Sequence, residues 1–159
     1  MRQKTIKAIL AHAESAFPTE CCGLVGERPL EGRQFILGHA DCWSLIMDYY
    51  RQQYGIILPN YSVDRHWWEE GENLYMENWH ECGFREFYGP PQPGDVVIMQ
   101  ISAPVPNHAG ILLEGNMLLH HLCGQLSQRI PYGGYYQERM VKILRFKDML
   151  SRPDKAPTY

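Results

Sequence analysis

Two apolar runs joined by a three-residue turn constrain this chain most. Residues 108–122 read HAGILLEGNMLLHHL, which is strand, turn at Glu114–Asn116, strand. The turn PPQPGD, Pro90 to Asp95, leads into the apolar run VVIMQI. SAPVPN is a loop, RIPYGGYY a turn region, and RMVKILRF a last strand. These runs read as consecutive members of an antiparallel sheet, with strands expected near 95–101, 107–113 and 117–122. The first half has a different period. Leu45, Ile46, Tyr49 and Tyr50 form a helical stripe behind Asp41, which can cap the first turn, and Gly55 ends the pattern. A helix is expected over 42–53. Ile6, Ile9, Leu10, Ala13 and Phe17 share helical spacing over 4–17, and CCGLVG can begin a short strand. ERPLEGRQ at 27–34 reads as a linker or turn. ILPNYSVDRHWWEEG begins as a loop and can become a short helix around Trp67. Residues 74–88 are aromatic and undetermined. Helix first and sheet afterwards is an α+β pattern.

The length of 159 residues suits one domain that buries a real core. A net charge of -3 does not suggest a nucleic-acid binder. No stretch is long and apolar enough to span a membrane, and the opening MRQKTIK has no apolar run behind it, so no signal peptide is expected. The cysteines are Cys21, Cys22, Cys42, Cys82 and Cys123, an odd set without regular spacing. They are expected as free thiols in a chain made in a reducing compartment.

Cys42 would open the 42–53 helix if Asp41 is its cap. Helix-start amides and the dipole favour a thiolate there, and the Cys42 amide can face a developing oxyanion. The base should be an imidazole on a neighbouring rigid element. His108 starts one expected strand, and His120 lies near the end of the next. A hairpin of this length can set both on one face, one ring taking the thiol proton and the other orienting it. Cysteine is also among the most commonly buried residues, and the local helix pattern alone favours a core role. The residues by themselves leave a cysteine hydrolase as one candidate among several.

GHADCWSLIMDYY resembles the nucleophile segment of NlpC-type cysteine peptidases, the papain-like hydrolases of bacterial cell walls. Asp41-Cys42-Trp43-Ser44-Leu45 is the form associated with the branch found in lambda-like phage tails. QPGDVVIMQ, NHAGILL and LLHH resemble the family's following strand, its His-bearing strand and the site of its third polar residue. The resemblance spans about 32–146. It implies a papain-like α+β fold with Cys42 as nucleophile, His108 as base and His120 as orienting residue. The implied reaction is amide hydrolysis through a thioester, with a cell-wall peptide as substrate, tail proteins as partners and no metal or organic cofactor. The implied localisation is synthesis in the bacterial cytoplasm, then incorporation in a tail tip and delivery to the wall. Alternatives are a non-catalytic tail assembly protein, an endopeptidase that trims a tail protein, and a defective prophage remnant.

Three departures from the pattern bear on the site. The family often has a tyrosine shortly before the cysteine, whereas this chain offers Phe35, which donates no hydrogen bond. Phe35 is expected near the sulfur side of the groove. Trp43 replaces a small residue and either narrows the groove or faces the core. His121 follows His120, so a one-residue slip would exchange their faces. His120 is preferred because 108 and 120 differ by an even number.

HAESAFPTECCGLVG, His12 to Gly26, resembles the opening of JAMM-type metallopeptidase domains, with Glu20 at that family's glutamate. The family's His-x-His does not occur in this chain, and a zinc held by His12, Cys21 and Cys22 is not expected. The expected organisation is therefore a truncated remnant at 1–31, a cysteine peptidase domain at 32–150 and a flexible tail at 151–159. Trp67 and Trp68 cannot both face one way on a regular element, so one is expected in the core and the other at the groove or a partner surface. Cys82 and Cys123 read as structural or incidental. Gly133-Gly134 lacks phosphate-loop spacing.

Overall fold

The computed structural model describes residues 27–61, 63 and 66–150. The expected helix and strand within 4–26 lie outside the described residues. Helix α1 spans Cys42–Tyr54, with Asp41 as N-cap and Gly55 as a left-handed C-cap at φ 66°. The cap is reciprocal. Asp41 Oδ1 accepts from the Ser44 amide at 2.9 Å, and Ser44 Oγ accepts from the Asp41 amide at 2.7 Å. Leu45, Ile46, Tyr49 and Tyr50 are the buried stripe, as their spacing predicts.

Six strands follow in one antiparallel sheet. They are β1 (Phe84–Glu86), β2 (Val96–Met99), β3 (His108–Leu113), β4 (Met117–His120), β5 (Gln128–Pro131) and β6 (Met140–Phe146). Their spatial order is β1-β6-β2-β3-β4-β5. The molecule is thus α+β, with α1 on one face of the sheet. Alternate residues sort the two faces. Val96, Ile98, Ala109, Ile111, Leu119 and Leu144 meet the α1 stripe, while Val97, Met99, Leu112, Leu118 and Ile143 build a second cluster behind.

The hairpin expected at 108–122 is β3–β4, turning through Gly115 and Asn116 at positive φ. RIPYGGYY is more than a turn. Its first residues belong to β5, and Gly134–Glu138 forms a short helix, α3. The undetermined 74–88 region resolves into helix α2, Leu74–Asn78, and strand β1. Trp67–Glu70 is a 3-10 turn, where a short helix is expected.

The proline-rich turn before β2 is tied down from two directions. Arg145 on β6 grips Asp95 with two bonds, Nε to Oδ1 at 2.7 Å and Nη2 to Oδ2 at 2.8 Å. Tyr50 of α1 donates to the Gly94 carbonyl at 2.6 Å. These bonds fix α1 against the end of the sheet where β2 begins and β3 finishes. Asn107 pairs both ways with the Ile101 backbone, at 2.8 and 3.0 Å, and so closes the SAPVPN loop immediately before His108.

Candidate active site

Cys42 occupies the first position of α1, where the sequence places it. The loop before it is compact. Ile36 and Ala40 form an isolated bridge, and the Gly38 amide donates to Asp41 Oδ2 at 2.7 Å. Gly38 sits at φ 78°, and a Cβ there would overlap the Val63 carbonyl. Asp41 is therefore directed into the helix amides and its own loop.

The half-buried Cys42 thiol contacts the Tyr75 hydroxyl, Sγ to Oη 2.8 Å. Backbone groups of Ala109 and Trp43 also favour its anion. These donors do not win. Burial first, and the Asp41 carboxylate second, push the thiol up to about 12. The thiolate expected from the helix start is thus not the resting form. At neutral pH Cys42 is a protonated thiol.

His108 and His120 come together as the hairpin predicts. His108 Nε2 lies 2.9 Å from His120 Nδ1. Gly110 stands opposite His120, so His108, two residues earlier on the same face, is its diagonal neighbour. Both rings are buried. Burial, with the neighbouring imidazoles adding to it, lowers His108 to about 3 and His120 to about 4. Both are neutral at pH 7. His120 Nε2 has no hydrogen-bond partner among the described residues, and its ring meets Tyr136 edge to face at 4.7 Å. His121 belongs to the other parity. It bonds the Gln125 carbonyl through Nε2 at 3.1 Å and packs on Phe35 at 5.2 Å.

Cys42 and His108 line one open pocket of about 890 Å³, counting its mouth. No hydrogen bond joins them among the described residues; the sulfur is paired with Tyr75 instead. Sulfur nevertheless lies beside the start of β3, through its contact with the Ala109 backbone. Phe35 lines the same pocket, with its ring against His121. Trp43 also lines it while donating Nε1–H to the Pro59 carbonyl at 3.0 Å, so it serves wall and packing together. Trp67 is buried and Trp68 half-buried. Their rings are near perpendicular at 87°, and both reach the pocket. Cys82 belongs to the core cluster and Cys123 is exposed at the pocket rim.

Tyr75 is the residue that sequence reasoning missed. It lies 33 positions from its partner Cys42, on α2, whose own pattern is ambiguous. A half-buried tyrosine facing an aromatic pocket leaves no periodic signal. Among the described residues no group of three or more His, Cys, Asp or Glu side chains is placed to hold a metal ion, and no helix is long and apolar enough to cross a membrane. The suggested His12, Glu20, Cys21 and Cys22 set lies outside the described residues.

A helix that begins at a cysteine, packed on an antiparallel sheet with two bonded histidines on adjacent strands, is a cysteine-peptidase-like arrangement. The chain belongs to the NlpC/P60 family, whose match covers residues 30–145. It is 42% identical to the tail tip assembly protein K of Escherichia phage N15, over 235 aligned positions that cover 94% of this chain and 97% of that protein. It is 37% identical to the tail tip assembly protein K of Escherichia phage lambda over 119 residues, 74% of this chain and 59% of that protein. The N15 alignment is longer than the 159 residues present, so dozens of its positions are gaps in this chain. The family match begins at residue 30 and brings in no metallopeptidase domain for the segment before it.

Proposed function

We infer that this chain is a tail tip assembly protein of a tailed phage or prophage. The observation that carries this reading is the 42% identity to the N15 tail tip assembly protein over nearly the whole of both chains. In this role the NlpC/P60 domain is a folded part of the tail tip, and its partners are tail proteins. Its folded domain runs from Arg28 through residue 150, since residues 28–33 are bonded to α1 and to Ser127.

A second reading, thiol-dependent hydrolysis of amide bonds in cell-wall peptides, is favoured by one pocket lined by both Cys42 and His108, with His120 bonded to His108 behind it. Cys42 Sγ attacks the carbonyl carbon, and its proton passes to His108. Since Nε2 of His108 is engaged with His120, the accepting nitrogen is Nδ1. His108 then carries hydrogen on both nitrogens, and His120 Nδ1 holds its Nε2–H. The C–N bond breaks as His108 returns the proton to the leaving amine, and water hydrolyses the thioester. A neutral thiol beside neutral imidazoles gives no resting ion pair, so proton transfer is coupled to attack.

Replacement of Cys42 by Ala in the phage or prophage genome tests both readings. Normal tails with lost penetration of the wall are expected if the site is hydrolytic. Normal tails and full infection would leave assembly as the function and reject hydrolysis. Removal of the whole gene is expected to abolish tails; intact, infectious tails without it would reject the assembly role. Mass analysis of wall peptides and of purified tail proteins after incubation with wild type and Cys42→Ala identifies the substrate.

A further inference from the structure

Phe35 has no donor to offer the Cys42 site, yet a phenol does reach the sulfur, from a different part of the chain. Tyr75 Oη lies 2.8 Å from Cys42 Sγ. We propose that the Tyr75 hydroxyl is a catalytic hydrogen-bond donor of this site, stabilising the oxyanion that forms when Cys42 attacks a carbonyl. This rests on reading Cys42 as a nucleophile.

The argument is geometric. In the tetrahedral adduct the oxyanion is attached to the carbon that has just bonded to Sγ. A donor within hydrogen-bond reach of Sγ meets that oxygen when the carbonyl is attacked with its oxygen on the Tyr75 side of the sulfur. The ring is held from two sides, by Trp67 with centroids 5.7 Å apart and by Trp43 at 6.4 Å, both edge to face. A donor held by packing needs little reorganisation during the reaction. Burial and the neighbouring Cys42 also hold the Tyr75 phenol well above its usual range, so it keeps its proton. During attack the S–C bond forms and the C=O π bond opens to C–O⁻. The thiol proton goes to His108, and the Tyr75 O–H turns from sulfur to the new anion without giving up its hydrogen. Collapse restores the carbonyl and expels the leaving group.

The test compares two reactions of Cys42 that differ in one respect. Acylation by p-nitrophenyl acetate passes through an oxyanion and releases p-nitrophenolate. Alkylation by iodoacetamide displaces iodide and forms none. Both depend on the thiolate fraction, so their ratio cancels any change in thiol acidity. Rates at Cys42 are read by peptide mass mapping at pH 9 in wild type and Tyr75→Phe, with circular dichroism as the folding control. The ratio of acylation to alkylation is expected to fall about tenfold or more in Tyr75→Phe. p-Aminophenylalanine at position 75 keeps an N–H donor on the same ring and is expected to recover part of the loss. An unchanged ratio overturns the proposal, as does a wild-type Cys42 that is alkylated but never acylated. If Tyr75→Phe misfolds, the p-aminophenylalanine protein decides: a ratio near wild type supports the donor, and a tenfold loss despite its N–H overturns it. Acylation that depends on Tyr75, together with no cleavage of wall peptides or tail proteins, would reject the peptidase reading and leave the donor role standing.

Discussion

At the scale of single residues, burial outweighs the helix start. A first-turn position on α1 supplies amides that favour a thiolate, and that much is legible from Asp41 and the stripe behind it. The desolvation is not legible, because the pocket walls come from residues between 35 and 144 and meet only in the fold. Asp41 adds to the effect by placing a carboxylate beside the sulfur. Asp41→Asn keeps a side-chain acceptor for the cap while removing that charge. The Cys42 thiol, pushed up to about 12, is expected to become more acidic in this variant. Alkylation at pH 8 should rise several-fold, at a stability cost of about 1 kcal/mol for the lost acceptor of the Gly38 amide. Iodoacetamide kinetics across pH 7 to 11 check this; an unchanged Cys42 profile would show that Asp41 does not govern the sulfur. The histidines give a second prediction. Their values lie below the ordinary 6.5, at about 3 for His108 and about 4 for His120. The unfolded chain takes up protons near pH 6.5 that the folded site refuses. Stability is thus full above pH 6.5 and is lost as pH falls toward 4 and 3, with a limiting slope of about 1.4 kcal/mol per pH unit for each ring. His120→Gln should flatten the fall between pH 6.5 and 5, where most carboxylates are still ionised. Urea melts at those pH values measure the slope, and equal slopes in wild type and variant would refute the assignment.

At the scale of elements, β3 and β4 carry the site because their register is fixed by close packing. Gly110 stands opposite His120, and a Cβ there would come within 2.6 Å of Leu118 Cδ1, 3.0 Å of the Leu119 carbonyl and 3.2 Å of His120 Cβ. The leucine end can move, but the β4 backbone cannot do so without shifting His120. Gly110→Ala is expected to cost about 1–3 kcal/mol and to break the 2.9 Å imidazole contact. A structure of the variant with both the pair and the strand spacing intact would refute this. The Asp95–Arg145 pair plays the matching part at the head of β2. Both groups are buried, and the Arg145 guanidinium also stacks on Phe87 at 3.5 Å. Arg145→Leu leaves Asp95 charged and unpaired and is expected to cost about 3–5 kcal/mol in chemical denaturation. Much of this layer is readable in advance. Turn chemistry announces the 90–95 turn and the 114–116 turn, and parity announces that His108 and His120 share a face. Strand β5 is not announced. It is four residues long, only half-covered, and runs directly into Pro131, so it has no apolar signature. Its formation depends on the edge that β4 offers.

At the scale of the whole molecule, the segment before the nucleophile decides where the domain begins. Sequence composition sets the boundary near residue 31, inside a polar, proline-bearing stretch. The hydrogen bonds set it earlier. The Gly32 amide donates to the Ser127 carbonyl at 2.8 Å, the Arg33 amide to Ser127 Oγ at 2.8 Å, and the Ser127 amide to the Arg33 carbonyl at 3.0 Å. Arg33 also reaches Asp48 on α1 at 2.7 Å, and its Nε donates to the Pro29 carbonyl. Gln52 donates to the Arg28 carbonyl at 2.9 Å. Residues 28–33 thus tie α1 to the loop that leads into β5, a cross-connection that composition does not display. Two shortened chains separate the boundaries. One beginning at Arg28 keeps every one of these bonds and is expected to unfold within a few degrees of the full chain. One beginning at Gln34 loses the Arg33–Asp48 pair and the Ser127 bonds. The half-buried Asp48 carboxylate and buried Ser127 then lose their Arg33 partners, at about 1–3 kcal/mol for the set, or several degrees in Tm. Thermal melts of the three chains, followed by circular dichroism, measure the difference. Equal loss in both shortened chains would mean that residues before 28 contribute to the domain's stability and that the boundary must be drawn earlier still.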